Sequence, residues 1–93
     1  MPTYNIEYSE HFDPKSIRHI AKADRDSIKT AIEHKLTVHP ETFGKPLRRS
    51  LKGYRRLRVD DYRVIYRIEK TSVKIFAIGH RSTVYEDYMS RFL

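Results

Sequence analysis

A chain of 93 residues suits one small domain with a modest core, and 39% hydrophobic content with three Gly and four Pro excludes a disordered or collagen-like chain. With no cysteine there is neither a disulfide framework nor a thiolate zinc site. No apolar run reads as a signal peptide or membrane span, so a reducing cytoplasm is the expected compartment. The net charge of +7 is unevenly placed. Between Lys45 and Arg81 stand 12 Lys and Arg against 3 acids, a net +9, and the remainder nets −2. Such a region points to a polyanion, most simply nucleic acid, with an acidic peptide as the other natural partner.

Taken in order, Thr3 to Tyr8 alternates Tyr4, Ile6 and Tyr8 with Asn5 and Glu7, the pattern of a half-buried strand. Asp13-Pro14 offers an N-cap followed by proline in the first helical turn, predicting a helix to about Lys22 with Ile17, Ile20 and Ala21 as its stripe. Asp24 or Asp26 opens a second helix, in which Ile28, Ala31, Ile32 and Leu36 recur at helical spacing until Pro40 ends it. Together the two predict a helical hairpin lying on a sheet. The segment from His39 to Lys52 has no clear period and reads as a loop anchored by Phe43, Leu47 and Leu51. Its Lys45, Arg48, Arg49 and Lys52 serve either solubility or the steering of phosphate.

From Gly53 to Ile68 the period is two. Leu57 and Val59 take one face of the first strand, Tyr54, Arg56 and Arg58 the other, and Asp60-Asp61 makes the turn. In the second strand Tyr62, Val64, Tyr66 and Ile68 alternate with Arg63, Ile65 and Arg67. If Leu57, Val59, Val64 and Tyr66 are buried, Arg56, Arg58 and Arg63 share the outer face, where mutually repelling guanidiniums imply an anion. Ser72 to His80 is apolar on both faces, which requires cover on both, and the last segment, with Val84, Tyr88 and Phe92 spaced by four, is a short helix able to supply it. The expected fold is α+β: a small antiparallel sheet of about four strands backed by an N-terminal two-helix hairpin, in the order β-α-α-β-β-β-α, as one domain over residues 1–93.

The five histidines include no ligand-spaced pair backed by a carboxylate, and no Gly-rich phosphate loop or nucleophile elbow is present, so no metal or other cofactor is implied. What remains is Tyr54, Arg56, Arg58, Arg63, His80, Arg81 and Tyr85. Clustered guanidiniums lacking a carboxylate suit stabilisation of the pentacovalent phosphorane formed when an RNA 2′-hydroxyl attacks its own phosphate. His80 has the right intrinsic pKa for proton transfer, although alternation turns it away from Arg81. Tyr54 and Tyr85 could stack on bases, orient a phosphate or simply pack.

In this order the strand, the helices, LRVDDYRVIYRI, KIFAIGHR and the terminal VY resemble the RelE/ParE superfamily of toxins from toxin–antitoxin pairs, over nearly the whole chain. The resemblance implies a RelE-like, metal-independent endoribonuclease that cleaves messenger RNA in the A site of the small ribosomal subunit. It also implies neutralisation by a cognate antitoxin in a hetero-oligomer. Position by position it makes Arg63 the phosphate-contacting arginine, Arg81 the transition-state stabiliser or acid, and Tyr85 the family tyrosine. Arg56 stands where the RelE branch has a lysine proposed as general base, leaving the base unassigned. Two alternatives stay open: a ParE-like inhibitor of DNA gyrase, and a weakened toxin that only binds its antitoxin.

Overall fold

The computed structural model describes residues 3–47 and 52–86. Its centre is a five-stranded sheet, ordered β1-β5-β4-β3-β2, formed by β1 (Asn5–Tyr8), β2 (Lys45–Pro46), β3 (Arg55–Val59), β4 (Tyr62–Glu69) and β5 (Ser72–His80). The β3–β4 hairpin closes with Val59 opposite Tyr62, leaving Asp60-Asp61 as the two-residue loop. Asp60 takes a left-handed φ of 54°, which a short carboxylate side chain tolerates. Leu57 opposite Val64 puts the expected apolar set on one face, and Arg58 opposite Arg63 puts the cations on the other.

The sheet corrects two expectations. It has five strands, because the short β2 pairs with β3 inside the segment read as a loop. Two residues are too few to show a period, and Pro46, which lacks an N–H, suits an edge. The sheet is also mixed: β1 runs parallel to β5, with Ile6 beside Val73 and Tyr8 beside Ile75. Alternation reports which face a residue takes and says nothing of strand direction.

The helical hairpin is corrected as well. The first helix is a single 3₁₀ turn, Pro14–Ile17, capped by the Asp13 carboxylate, which accepts from the Lys15 N–H at 2.9 Å. Ile17 and Ile20 are three apart and joined by an i to i+3 hydrogen bond, a spacing met by that turn alone. The second helix, α1 (Lys22–Ala31), starts earlier than either aspartate, after Ala21 and with no side-chain cap, and runs on as a π turn over Ile32–Leu36. A further short helix, α2 (Pro40–Phe43), precedes β2. The order is therefore strand, 3₁₀ turn, long helix, short helix and four strands, with helix again at residues 84–86.

Ile28, Ala31, Ile32 and Leu36 are all buried against Leu57, Val64, Tyr66 and Ile75, so the stripe read from their spacing does cover the sheet. Each large aliphatic side chain so buried contributes about 1.5–3 kcal/mol. A smaller cluster of Ile65, Phe76, Ala77 and Val84 lies on the opposite face. The segment after β5 thus begins to cover that face, as the apolar character of β5 on both sides requires. Tyr88 and Phe92, like Leu51, Arg48 and Arg49, lie outside the described residues.

The loop before β3 is held by a clamp. The Tyr66 hydroxyl, wholly buried, donates to the Pro40 carbonyl at 2.6 Å, and burial raises its pKa above the ordinary 10.0. One terminal nitrogen of Arg55 donates to the carbonyls of Glu41 and Gly44 at 2.6 and 2.8 Å. Gly44 is needed for space, since a Cβ there would lie 1.7 Å from the Tyr66 hydroxyl. Phe43 is consequently no anchor: it is 46% exposed, with Tyr66 filling the interior beneath the loop.

Candidate active site

On the face away from α1, an open concavity of about 470 Å³ is lined by Arg56, Arg63, His80, Arg81, Ser82 and Tyr85. Among the described residues, no carboxylate lines it. Register explains the assembly. Arg63 lies opposite Gly79, so β4 and β5 carry their cations to the same end of the sheet. There the chain turns into residues 84–86, and Val84 packs where a Cβ on Gly79 would come within 3.3 Å of it. That contact brings Tyr85 over β3, its hydroxyl 3.5 Å from an Arg56 terminal nitrogen.

Each side chain is held differently. Arg63 is buried, an uncommon state for arginine, and its Nη1 donates to the Asp60 and Tyr62 carbonyls at 2.9 and 2.8 Å. Those bonds occupy both Nη1 protons and leave Nε and Nη2 for an anion. Arg81 is exposed, but its N–H donates to the Asp61 carbonyl at 2.8 Å and its Nε lies 3.6 Å from the Asp61 carboxylate. The Asp-Asp turn therefore makes the hairpin and also holds both catalytic candidates at its tip.

His80 joins the cleft despite alternation. It pairs with Tyr62 and stacks edge-on against that ring, on the face opposite the arginines, but the strand ends there and its imidazole reaches the rim. The Ser82 N–H donates to Nδ1 at 3.1 Å, with the Ser82 hydroxyl 2.7 Å away. A backbone N–H can only donate, so Nδ1 is the acceptor and the neutral ring carries its proton on Nε2. In that tautomer His80 offers the cleft a donor, and no lone pair with which to act as a base.

The remaining sequence candidates divide. Lys45 and Arg58 line a smaller recess with Arg56, Arg63 and Phe43. Tyr54 lies farther along the same face, edge-on to Phe76 at 4.8 Å with the Arg67 guanidinium 5.8 Å from its ring, and lines neither space. Lys52 is exposed and also lines neither. Sequence reasoning passed over Ser82, read Phe43 as a loop anchor, and gave Asp61 only a turn. A serine two residues beyond a strand-end histidine was the available signal for Ser82; for Phe43 there was none, since an aromatic residue after a proline reads as packing.

Mixed sheet, covering helix and basic cleft together make a small α+β domain with a cationic site on one face. A family model described as the ParE toxin of the type II toxin–antitoxin system, parDE, matches residues 8–85, and the chain belongs to that family, within the RelE/ParE superfamily. It is 44% identical over 52 residues to Toxin RelG of Mycobacterium tuberculosis, a match covering 54% of this chain and 60% of that protein. The toxin–antitoxin complex RelBE2 of M. tuberculosis superposes with a TM-score of 0.78 at 27% identity, over 88% of this chain and 95% of that one. YafQ of Escherichia coli superposes with a TM-score of 0.59 at 26% identity, over 87% and 97%. The RelB–RelE complex of Methanococcus jannaschii, at 20% identity and a TM-score of 0.62 over 88% and 96%, shares the fold.

Proposed function

We propose that this toxin is a RelE-like endoribonuclease that cleaves messenger RNA in the ribosomal A site and is neutralised by a cognate antitoxin. The observation that carries the reading is the meeting of Arg56, Arg63, Arg81 and Tyr85, with His80, in one cleft that no carboxylate lines among the described residues. In the reaction the RNA 2′-oxygen forms a bond to the adjacent phosphorus and the bond from phosphorus to the 5′-oxygen breaks. The 2′-hydroxyl proton passes to solvent or to a ribosomal group, and the departing 5′-oxygen takes one up from water. Arg63, rigidly held, binds a non-bridging oxygen, while Arg81 and Arg56 neutralise the charge that grows on the phosphorane. His80 donates a hydrogen bond from Nε2 to a phosphoryl oxygen, and the Tyr85 hydroxyl beside Arg56 orients that guanidinium or the phosphate. The names of RelG and RelBE2 support the RelE side, and the solved toxin–antitoxin complexes that share this fold support an antitoxin partner.

Primer extension on translated message tests the proposal. Wild type is expected to cut within the A-site codon, and Arg81→Ala to cut about 10²-fold to 10³-fold more slowly. Undiminished cutting by Arg81→Ala, or none by wild type, overturns it. The ParE name of the matching family favours one second reading, inhibition of DNA gyrase. That reading predicts lost supercoiling with message intact.

A further inference from the structure

The smaller recess beside the cleft, about 110 Å³ in volume, has no assigned role. Its floor is set by register. Lys45 lies directly opposite Arg56 and Arg58 directly opposite Arg63, and all four side chains project from the same face. The two rows are two residues apart along β3, about 7 Å. That is the order of the distance between successive phosphates of an extended nucleic-acid strand. Arg56 and Arg63 line both spaces, so the recess continues the cleft.

Ion pairing separates these cations from the rest. Among the described residues Arg67 and Lys74 share Glu69, at 3.1 and 3.4 Å, and Arg81 has Asp61, whereas no carboxylate lies within ion-pair distance of Lys45, Arg56, Arg58 or Arg63. Adjacent cations left unneutralised, one of them buried, favour an anion taken from outside. At the mouth stands Phe43, half exposed, with the Lys35 ammonium 5.5 Å from its ring centroid and the His39 ring tilted against it at 6.4 Å. A braced, exposed aromatic ring beside a phosphate-sized recess suits a nucleobase better than an acidic peptide.

We propose that this recess is a second phosphate subsite, which takes the phosphate neighbouring the one in the cleft, with Phe43 stacking on the adjoining base. The inference rests on the ribonuclease reading and deepens it: the substrate class becomes single-stranded RNA engaged through two consecutive phosphates.

The test uses 2′-O-methyl uridine oligonucleotides, which cannot undergo the cleavage, titrated calorimetrically into the full chain at low salt. A trinucleotide with two phosphates is expected to bind about tenfold more tightly than a dinucleotide with one. Lys45→Ala removes that gain and lowers the salt slope by about 0.7, and Lys45→Arg restores both. Phe43→Ala weakens the trinucleotide about tenfold, and Phe43→Tyr preserves it. Lys74→Ala, on the same face but paired with Glu69, changes neither ligand. Equal binding of the two oligonucleotides by wild type, identical behaviour of Lys45→Ala and Lys74→Ala, or equal binding of a glutamate peptide of matched charge overturns the subsite. Message cleavage by the same preparations decides the activity separately, so the two failures are distinguishable.

Discussion

Gly44→Ala tests whether the loop carrying Lys45 is positioned by close packing. Gly44 has φ −99° and ψ 153°, a backbone any residue adopts, so the substitution costs no conformational strain and acts through space alone. The new Cβ would lie 1.7 Å from the Tyr66 hydroxyl, 2.6 Å from Cζ and 2.9 Å from Cε1, and the ring is fully buried and cannot swing into solvent. Overpacking of this kind costs about 1–3 kcal/mol. Displacing the hydroxyl also breaks its bond to the Pro40 carbonyl, for about 0.5–1.5 kcal/mol more. The expected loss is about 2–4 kcal/mol, which lowers the melting temperature of a domain this size by roughly 8–30 °C. Denaturant unfolding of Gly44→Ala, Tyr66→Phe and the double variant measures it. Because Tyr66→Phe removes the nearest clashing atom, the double variant should be more stable than the sum of the single losses predicts. A Gly44→Ala variant within about 0.5 kcal/mol of wild type, or strict additivity, refutes the packing argument.

Tyr66→Phe also carries a pH signature. Burial raises the Tyr66 pKa, so the stabilisation tied to the neutral phenol is complete below about pH 10 and is lost as pH rises through the higher folded value. Wild type should therefore lose resistance to urea faster than Tyr66→Phe above pH 10, and the two curves should run parallel below pH 9. At Lys70, whose φ of 56° is unusual for a long side chain, Lys70→Asn should stabilise by about 0.5 kcal/mol, read as a 2–4 °C rise in melting temperature. Asp61→Asn removes an exposed pair worth at most about 1 kcal/mol, so the melting temperature should hold to within a few degrees. In the same variant message cleavage should fall no more than about fivefold if Asp61 only steadies Arg81.

The β3–β4 hairpin was legible because Leu57 and Val64 alternate with Arg56, Arg58 and Arg63, and Asp60 tolerates its left-handed turn. The stripe of α1 was legible for the corresponding reason, Ile28 to Leu36 falling on one helical face. What escaped depended on partners distant in sequence. Parallel pairing of β1 with β5 is a property of the crossover, and β2 exists because Arg55 and Tyr66 draw the α2 loop against the sheet. Arg63 and Arg81 line one cleft because β4 pairs with β5 and the chain leaves β5 at the same end of the sheet. Alternation turns His80 away from Arg81, and it does pair on the Tyr62 face, but it ends the strand, so its imidazole still reaches the cleft.

The distribution of charge joins the fold to the proposed chemistry. Along one face of β3, β4 and β5 the cations at one end are neutralised by Glu69, and among the described residues those at the other end meet backbone carbonyls, a tyrosine hydroxyl and the exposed Asp61. Carbonyl oxygens orient a guanidinium without cancelling its charge, so Arg63 is fixed in place and its field is kept for an incoming anion. A carboxylate in the same position would hold the side chain equally well and compete with the phosphate. Arg56 stands where the RelE-like lysine is expected and cannot take a proton, and the His80 tautomer is set by Ser82 to donate. Both residues therefore act on the phosphoryl oxygens, and in the proposed reaction proton removal from the 2′-hydroxyl is left to a group outside this chain. In that proposal the toxin supplies the charge, and solvent or the site of translation supplies the base.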